Sequence, residues 1–174
     1  MSLKKAMQTY ARQGGSSAIF VHDDGLQLLD EAGRQERIKF YEDNGIGWVA
    51  RPPHDNAVDG FKRRGRFKKA SNMNYGLELT LKMEEHILKL ELERGEKASV
   101  TDSTISDDVG DDLEEQALRM AIEEIYEESG QRFRPWAHNA RAIRMGEIIL
   151  IVDADTIVPE VRPSHFSLIV LFVC

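Results

Sequence analysis

The chain has 174 residues with 41% hydrophobic content, the length and composition of one domain with a packed core. A charged fraction of 30% and a net charge of −7 disfavour nucleic acid as a partner, because phosphates would be repelled. Cys174 is the lone cysteine, which excludes a disulfide framework and a cysteine-based zinc site and fits a reducing compartment.

"MSLKKAMQTYARQGG" lacks the apolar stretch of a secretory signal, and its spacing predicts a helix over 3–13 that Gly14-Gly15 stops. "SAIFV" reads as a buried strand running into His22-Asp23-Asp24-Gly25. A helix over 30–43 follows, ended by Asn44-Gly45, and then a strand, "IGWVA". After a loop holding Pro52, Pro53 and Gly60, a long helix spans about 71–94, with Ser71 or Asn72 placed as its cap.

Residues 95–112, poor in large apolar side chains, read as a flexible surface insertion. A helix over 113–128 turns Leu113, Ala117, Met120, Ala121 and Ile125 inward. "EIILIV" is the third strand and ends at Asp153-Ala154-Asp155. "FSLIVLFVC" closes the chain and is too short to span a bilayer, which takes about 20 apolar residues. Strands alternating with helices predict an α/β fold with a mostly parallel sheet and right-handed crossovers. Ligands of such sheets gather at the carboxyl ends of the strands, where two of the three strands carry aspartate pairs.

Asp153 and Asp155 suit a divalent cation held against a diphosphate, although aspartates also cap backbone groups in turns after strands. Asp23-Asp24-Gly25 suits either an ordinary turn or a carboxylate meeting a base or ribose, with Gly25 admitting close approach. "FKRRGRFKK" holds six cations in nine residues. Lysines beside a helix N-terminus favour a pyrophosphate, because backbone N–H groups, helix dipole and ammonium act on one anion. Asn72 and Asn74 are placed to add hydrogen bonds. The five histidines have no ligand spacing, and neither Ser16-Ser17 nor Cys174 has a base nearby in sequence.

In this order, "VHDDG", "GWVARPPH…GFKRRGRFKKASNMNYGL" and "ILIVDADTIVPE" resemble the family 2 glycosyltransferases of the cellulose and hyaluronan synthase type, above all fungal membrane-bound members. The resemblance covers the chain to Glu160. It implies an incomplete, Rossmann-like GT-A domain over 1–160, with 161–174 as an atypical apolar tail. It further implies inverting transfer of a sugar from a nucleotide donor, usually a UDP-sugar, to a saccharide acceptor with Mg²⁺ or Mn²⁺.

Carried onto this chain, Asp23 or Asp24 with Gly25 would hold the nucleoside, and Lys69 the diphosphate, with Asn72 beside it. Asp153 and Asp155 would position donor and metal, Asp155 as direct ligand. The family's acidic general-base motif, its Gln-x-x-Arg-Trp motif and its membrane helices do not occur here, so the chain alone is expected to bind donor without transferring sugar. Membrane association, with the domain facing the cytosol, would come only through segments missing from this chain. A non-catalytic nucleotide-sugar-binding fragment and a nucleotidyltransferase-like domain are the alternatives. The latter calls for a Gly-rich phosphate loop, which is absent from the sequence.

Overall fold

The computed structural model describes residues 2–65, 68–98, 109–152, 157 and 169–173. Its architecture is α/β, a mixed sheet flanked by helices on both faces. The elements are α1 (Ser2–Ala11), β1 (Ser17–His22), α2 (Glu31–Asp43), β2 (Gly47–Ala50), α3 (Lys69–Ala98) and α4 (Val109–Glu128). They continue with β3 (Trp136–His138), α5 (Ala140–Ile143), β4 (Ile148–Val152) and β5 (Ile169–Val173). A single 3-10 turn, Leu26–Leu28, follows β1.

Five strands form the sheet in the order β3-β2-β1-β5-β4. β2 and β5 flank β1 in parallel, β4 is parallel to β5, and β3 alone runs antiparallel, against β2. The expected mostly parallel sheet is therefore present among the described strands.

Alternation along the strands divides the core between the two faces. Phe20 and Val49 join Leu79, Met83 and Ile87 of α3, Leu118 of α4 and Ile143 of α5. Ile19, Trp48 and Ala50 point the other way, onto Leu26 and Tyr41, with Leu3 and Met7 of α1 beside them. Burying a Leu or Phe side chain stabilises by about 1.5–3 kcal/mol, so both faces hold their helices. Helix α2 starts at Asp30, whose carboxylate accepts from the Gly33 N–H, and closes through Gly45 at φ 62°.

Several expectations are corrected. Ser71 and Asn72 lie inside the first turn of α3, which begins at Lys69 after Lys68 turns at φ 58°. The Ser71 hydroxyl donates to the carbonyls of Arg64 (2.8 Å) and Lys68 (3.2 Å) instead of accepting as a cap. Both ends of the expected insertion are helical, since α3 reaches Ala98 and α4 starts at Val109; residues 99–108 lie outside the described residues. On α4, Leu113, Ala117, Ala121 and Ile125 are buried as expected, Leu118 joins them, and Met120 alone of the expected set is turned out, at 37% exposure.

β3 and α5 had no counterpart in the sequence reading. Nor had β5, which lies inside the apolar tail. That strand finds partners on both sides, with Ser17↔Ile169 and Val21↔Val173 on β1 and Ile148↔Ile169 and Val152↔Val173 on β4.

Candidate functional site

At the carboxyl end of β1 the chain turns through Asp23, whose backbone N–H donates to the Val49 carbonyl at 2.9 Å. One Asp23 carboxylate oxygen accepts from the Gly25 N–H at 2.9 Å and closes the Asp-Gly turn. The other accepts from the Tyr41 hydroxyl at 2.7 Å and from Arg37 at 3.1 Å. Asp23 thereby ties α2 to the end of the sheet. Tyr41 is held well above the ordinary range for a phenol, first by burial and then by Asp23, so it remains a donor.

Asp24 faces the opposite way and meets Arg51, the first residue after β2. The guanidinium forks onto it, Nε at 2.9 Å and Nη2 at 2.5 Å. Its Nη1 donates to Ser71 Oγ at 2.7 Å and its Nη2 also to the Lys68 carbonyl at 3.3 Å. With 1% exposure, Arg51 joins the ends of β1 and β2 to the start of α3. Losing one partner of a buried pair costs about 3–5 kcal/mol, because the other charge stays uncompensated. Arg63 stands behind, with Nη1 at 3.7 Å from Asp24, while its other nitrogens donate to the carbonyls of Pro52 and Arg51.

His22, the last residue of β1, donates from Nδ1 to the Asn72 carbonyl at 3.0 Å, and Asn72 Nδ2 donates back to the His22 carbonyl at 3.3 Å. The imidazole packs 4.5 Å from the Phe20 ring, and burial lowers its pKa to about 4. This exchange clamps the first turn of α3 onto β1.

Between these elements lies a cleft of ≈ 280 Å³, walled by His22, Asp23, Asp24 and Gly25 on the sheet side and by Lys68, Lys69 and Asn72 on the helix side. Five of the residues singled out in the sequence thus meet: Asp23, Asp24, Gly25, Lys69 and Asn72. Asn74 is exposed and does not line the cleft. Asp153 and Asp155 lie outside the described residues.

The two aspartates are not equivalent. Both are bound on both oxygens by the protein, but the Asp23 side chain is 10% exposed and that of Asp24 is 26% exposed beside the cleft. Lys62 turns from the cleft to the carbonyls of Asp55 and Ala57 and braces its own loop.

Electrostatically the cleft runs against the molecule. The cations Arg37, Arg51, Arg63, Lys68 and Lys69 outnumber Asp23 and Asp24 at the N-terminus of a 30-residue helix. An anion carrying polar groups suits such a corner. A metal does not fit the described residues there, because both carboxylates face guanidinium groups and no cluster of three His, Cys, Asp or Glu occurs among the described residues.

Arg51 and Arg37 were missed in the sequence, and Arg63 was counted only among the six cations of its loop. The readable signal was "GWVAR", where an arginine directly follows a fully buried strand and needs a carboxylate partner. Arg37, on a helix of weak amphipathicity, carried none. Among the described residues, no helix is long and apolar enough to cross a membrane. No family model, curated protein or solved structure matches the chain.

Proposed function

We propose that the cleft binds the diphosphate of a nucleotide-sugar donor, UDP-sugar by preference, and that the chain is the donor-binding part of a GT-A-type, inverting glycosyltransferase of family 2 that extends a polysaccharide. The observation that carries this reading is the meeting of Lys68, Lys69 and the start of α3 with Asp24 and Gly25 across one cleft. The lysines and the helix N-terminus suit a diphosphate, and Asp24 suits the N–H or O–H donors of a base or ribose. Arg51 fixes the direction of the Asp24 carboxylate through two hydrogen bonds, a positioning role. Asp23 secures the turn that carries it.

The Mg²⁺ or Mn²⁺ of this reading rests on Asp153 and Asp155 alone, as a proposal from their sequence pattern. When bound, such an ion would neutralise the leaving diphosphate. The saccharide acceptor and membrane attachment rest on the resemblance. No residue here is assigned as general base, so binding without turnover is expected of this chain.

Calorimetry with UDP and uridine tests the reading. Lys69→Ala should weaken UDP binding by about 1.5–3 kcal/mol, the worth of a charged hydrogen bond, and leave uridine nearly unchanged. Equal losses for both ligands would remove Lys69 from the phosphate site. Absence of UDP binding to the unaltered chain would end the proposal.

A further inference from the structure

Helix α3 has two apolar faces. Leu79, Met83 and Ile87 are 0%, 0% and 2% exposed and fill the core. On the opposite side Leu81, Leu88 and Leu92 are 57%, 59% and 70% exposed. Single exposed leucines are ordinary on a protein surface. These three form a row: positions 81, 85, 88 and 92 follow the 4-3-4 spacing of a helix–helix seam, with Glu85 at the second place. The row covers three turns, from mid-helix to near its C-terminal end.

The residues beside the row decide what fits it. Glu78, Glu85 and Glu91 are exposed around it, and Lys89 is the nearest exposed cation. A second copy of α3 is a poor occupant, since antiparallel pairing sets Glu85 against Leu88 of the other copy and parallel pairing sets Glu85 on Glu85. An anionic lipid surface is repelled by the same carboxylates. A helix with leucine-like residues on one face and lysine or arginine along the edges of that face satisfies both features.

We propose that the Leu81–Leu88–Leu92 face of α3 is a docking surface for a basic-edged amphipathic helix of another polypeptide, about three to four turns long. The area is small, so the contact belongs to the transient class. It lies on the face of α3 turned away from the core and is independent of the nucleotide reading.

Fluorescence anisotropy on the full chain tests this with two labelled peptides, a 14-residue helix of leucines and lysines and the same helix with glutamate for lysine. The lysine peptide should bind and the glutamate peptide should not. Replacing the exposed leucines together (Leu81→Ala, Leu88→Ala, Leu92→Ala) should weaken binding roughly tenfold or more, because the buried apolar area is lost. Glu85→Lys with Glu91→Lys should reverse the peptide preference. Far-ultraviolet circular dichroism confirms that the variants stay folded, and these exposed sites leave the core intact. Binding of the lysine peptide unchanged by the leucine substitutions would overturn the proposal, as would failure of the unaltered chain to bind it. Leucine-dependent self-association in sedimentation, or leucine-dependent binding to phosphatidylserine vesicles, would overturn it in favour of a second copy or a membrane.

Discussion

His22 shows how one side chain couples sheet, helix and acidity. Its Nδ1 donates to the Asn72 carbonyl, and burial of the ring favours its neutral form. Burial lowers its pKa from 6.5 to about 4. A histidine whose folded pKa is depressed takes its proton more readily when unfolded. Its contribution is therefore complete above pH 6.5 and is lost as pH falls toward 4. The loss amounts to about 3 kcal/mol. Urea unfolding at pH 7 and pH 4.5 should show a drop in stability that His22→Asn makes smaller, whatever that variant's absolute stability. An identical drop in both proteins would show that His22 does not titrate on unfolding. None of this was legible from "SAIFVHDDG" alone, because the burial comes from α3, fifty residues on. The aspartates beside it were legible as chemistry. Their division of labour was not, since it depends on Tyr41, Arg37 and Arg51 arriving from other elements.

At the scale of elements, Gly76 is the point where α3 comes closest to β1. A Cβ there would stand 2.1 Å from His22 Cε1 and 2.7 Å from both ring nitrogens. Alanine would favour the helix by about 1 kcal/mol in isolation. Here the ring must move and lose its bond to Asn72, and overpacking of this kind costs about 1–3 kcal/mol. Gly76→Ala should thus lower the urea midpoint without changing helix content by circular dichroism; a raised midpoint would show that the ring gives way freely. The same tightness explains which elements the sequence disclosed. α1, α2, β1, β2 and β4 fall within two residues or so of expectation, because each carries its own period and its own stop, such as Asn44-Gly45. β3 has three residues and no alternation, so its existence depends on β2 lying alongside. β5 resembles an apolar tail because its partners, β1 and β4, are supplied only by the sheet. The start of α4 was hidden by Gly110, Asp111 and Asp112, loop-like in composition, although aspartates favour a first helical turn.

On the scale of the whole molecule, a net charge of −7 surrounds a cleft lined by two lysines and two aspartates, with Arg37, Arg51 and Arg63 paired to those aspartates from behind. The net charge and the cleft lysines act oppositely on an incoming nucleotide, and salt separates them. Global repulsion works over long distances and is screened first, so if it dominated, added salt would strengthen binding. The local attraction of Lys68, Lys69 and the α3 N-terminus acts within a few ångströms of the anion. At about 0.1 M salt the screening length is still about 10 Å, so the local attraction is felt in full. The cleft reading therefore predicts that UDP affinity falls several-fold as sodium chloride rises from about 50 mM to about 0.5 M, while uridine affinity stays nearly flat. Lys69→Ala should reduce the salt dependence of UDP binding as well as its strength, because it removes one of the charges being screened. UDP binding that strengthened with salt, or a salt slope unchanged by Lys69→Ala, would place the phosphates outside this corner and return the lysines to the role of a solvated surface.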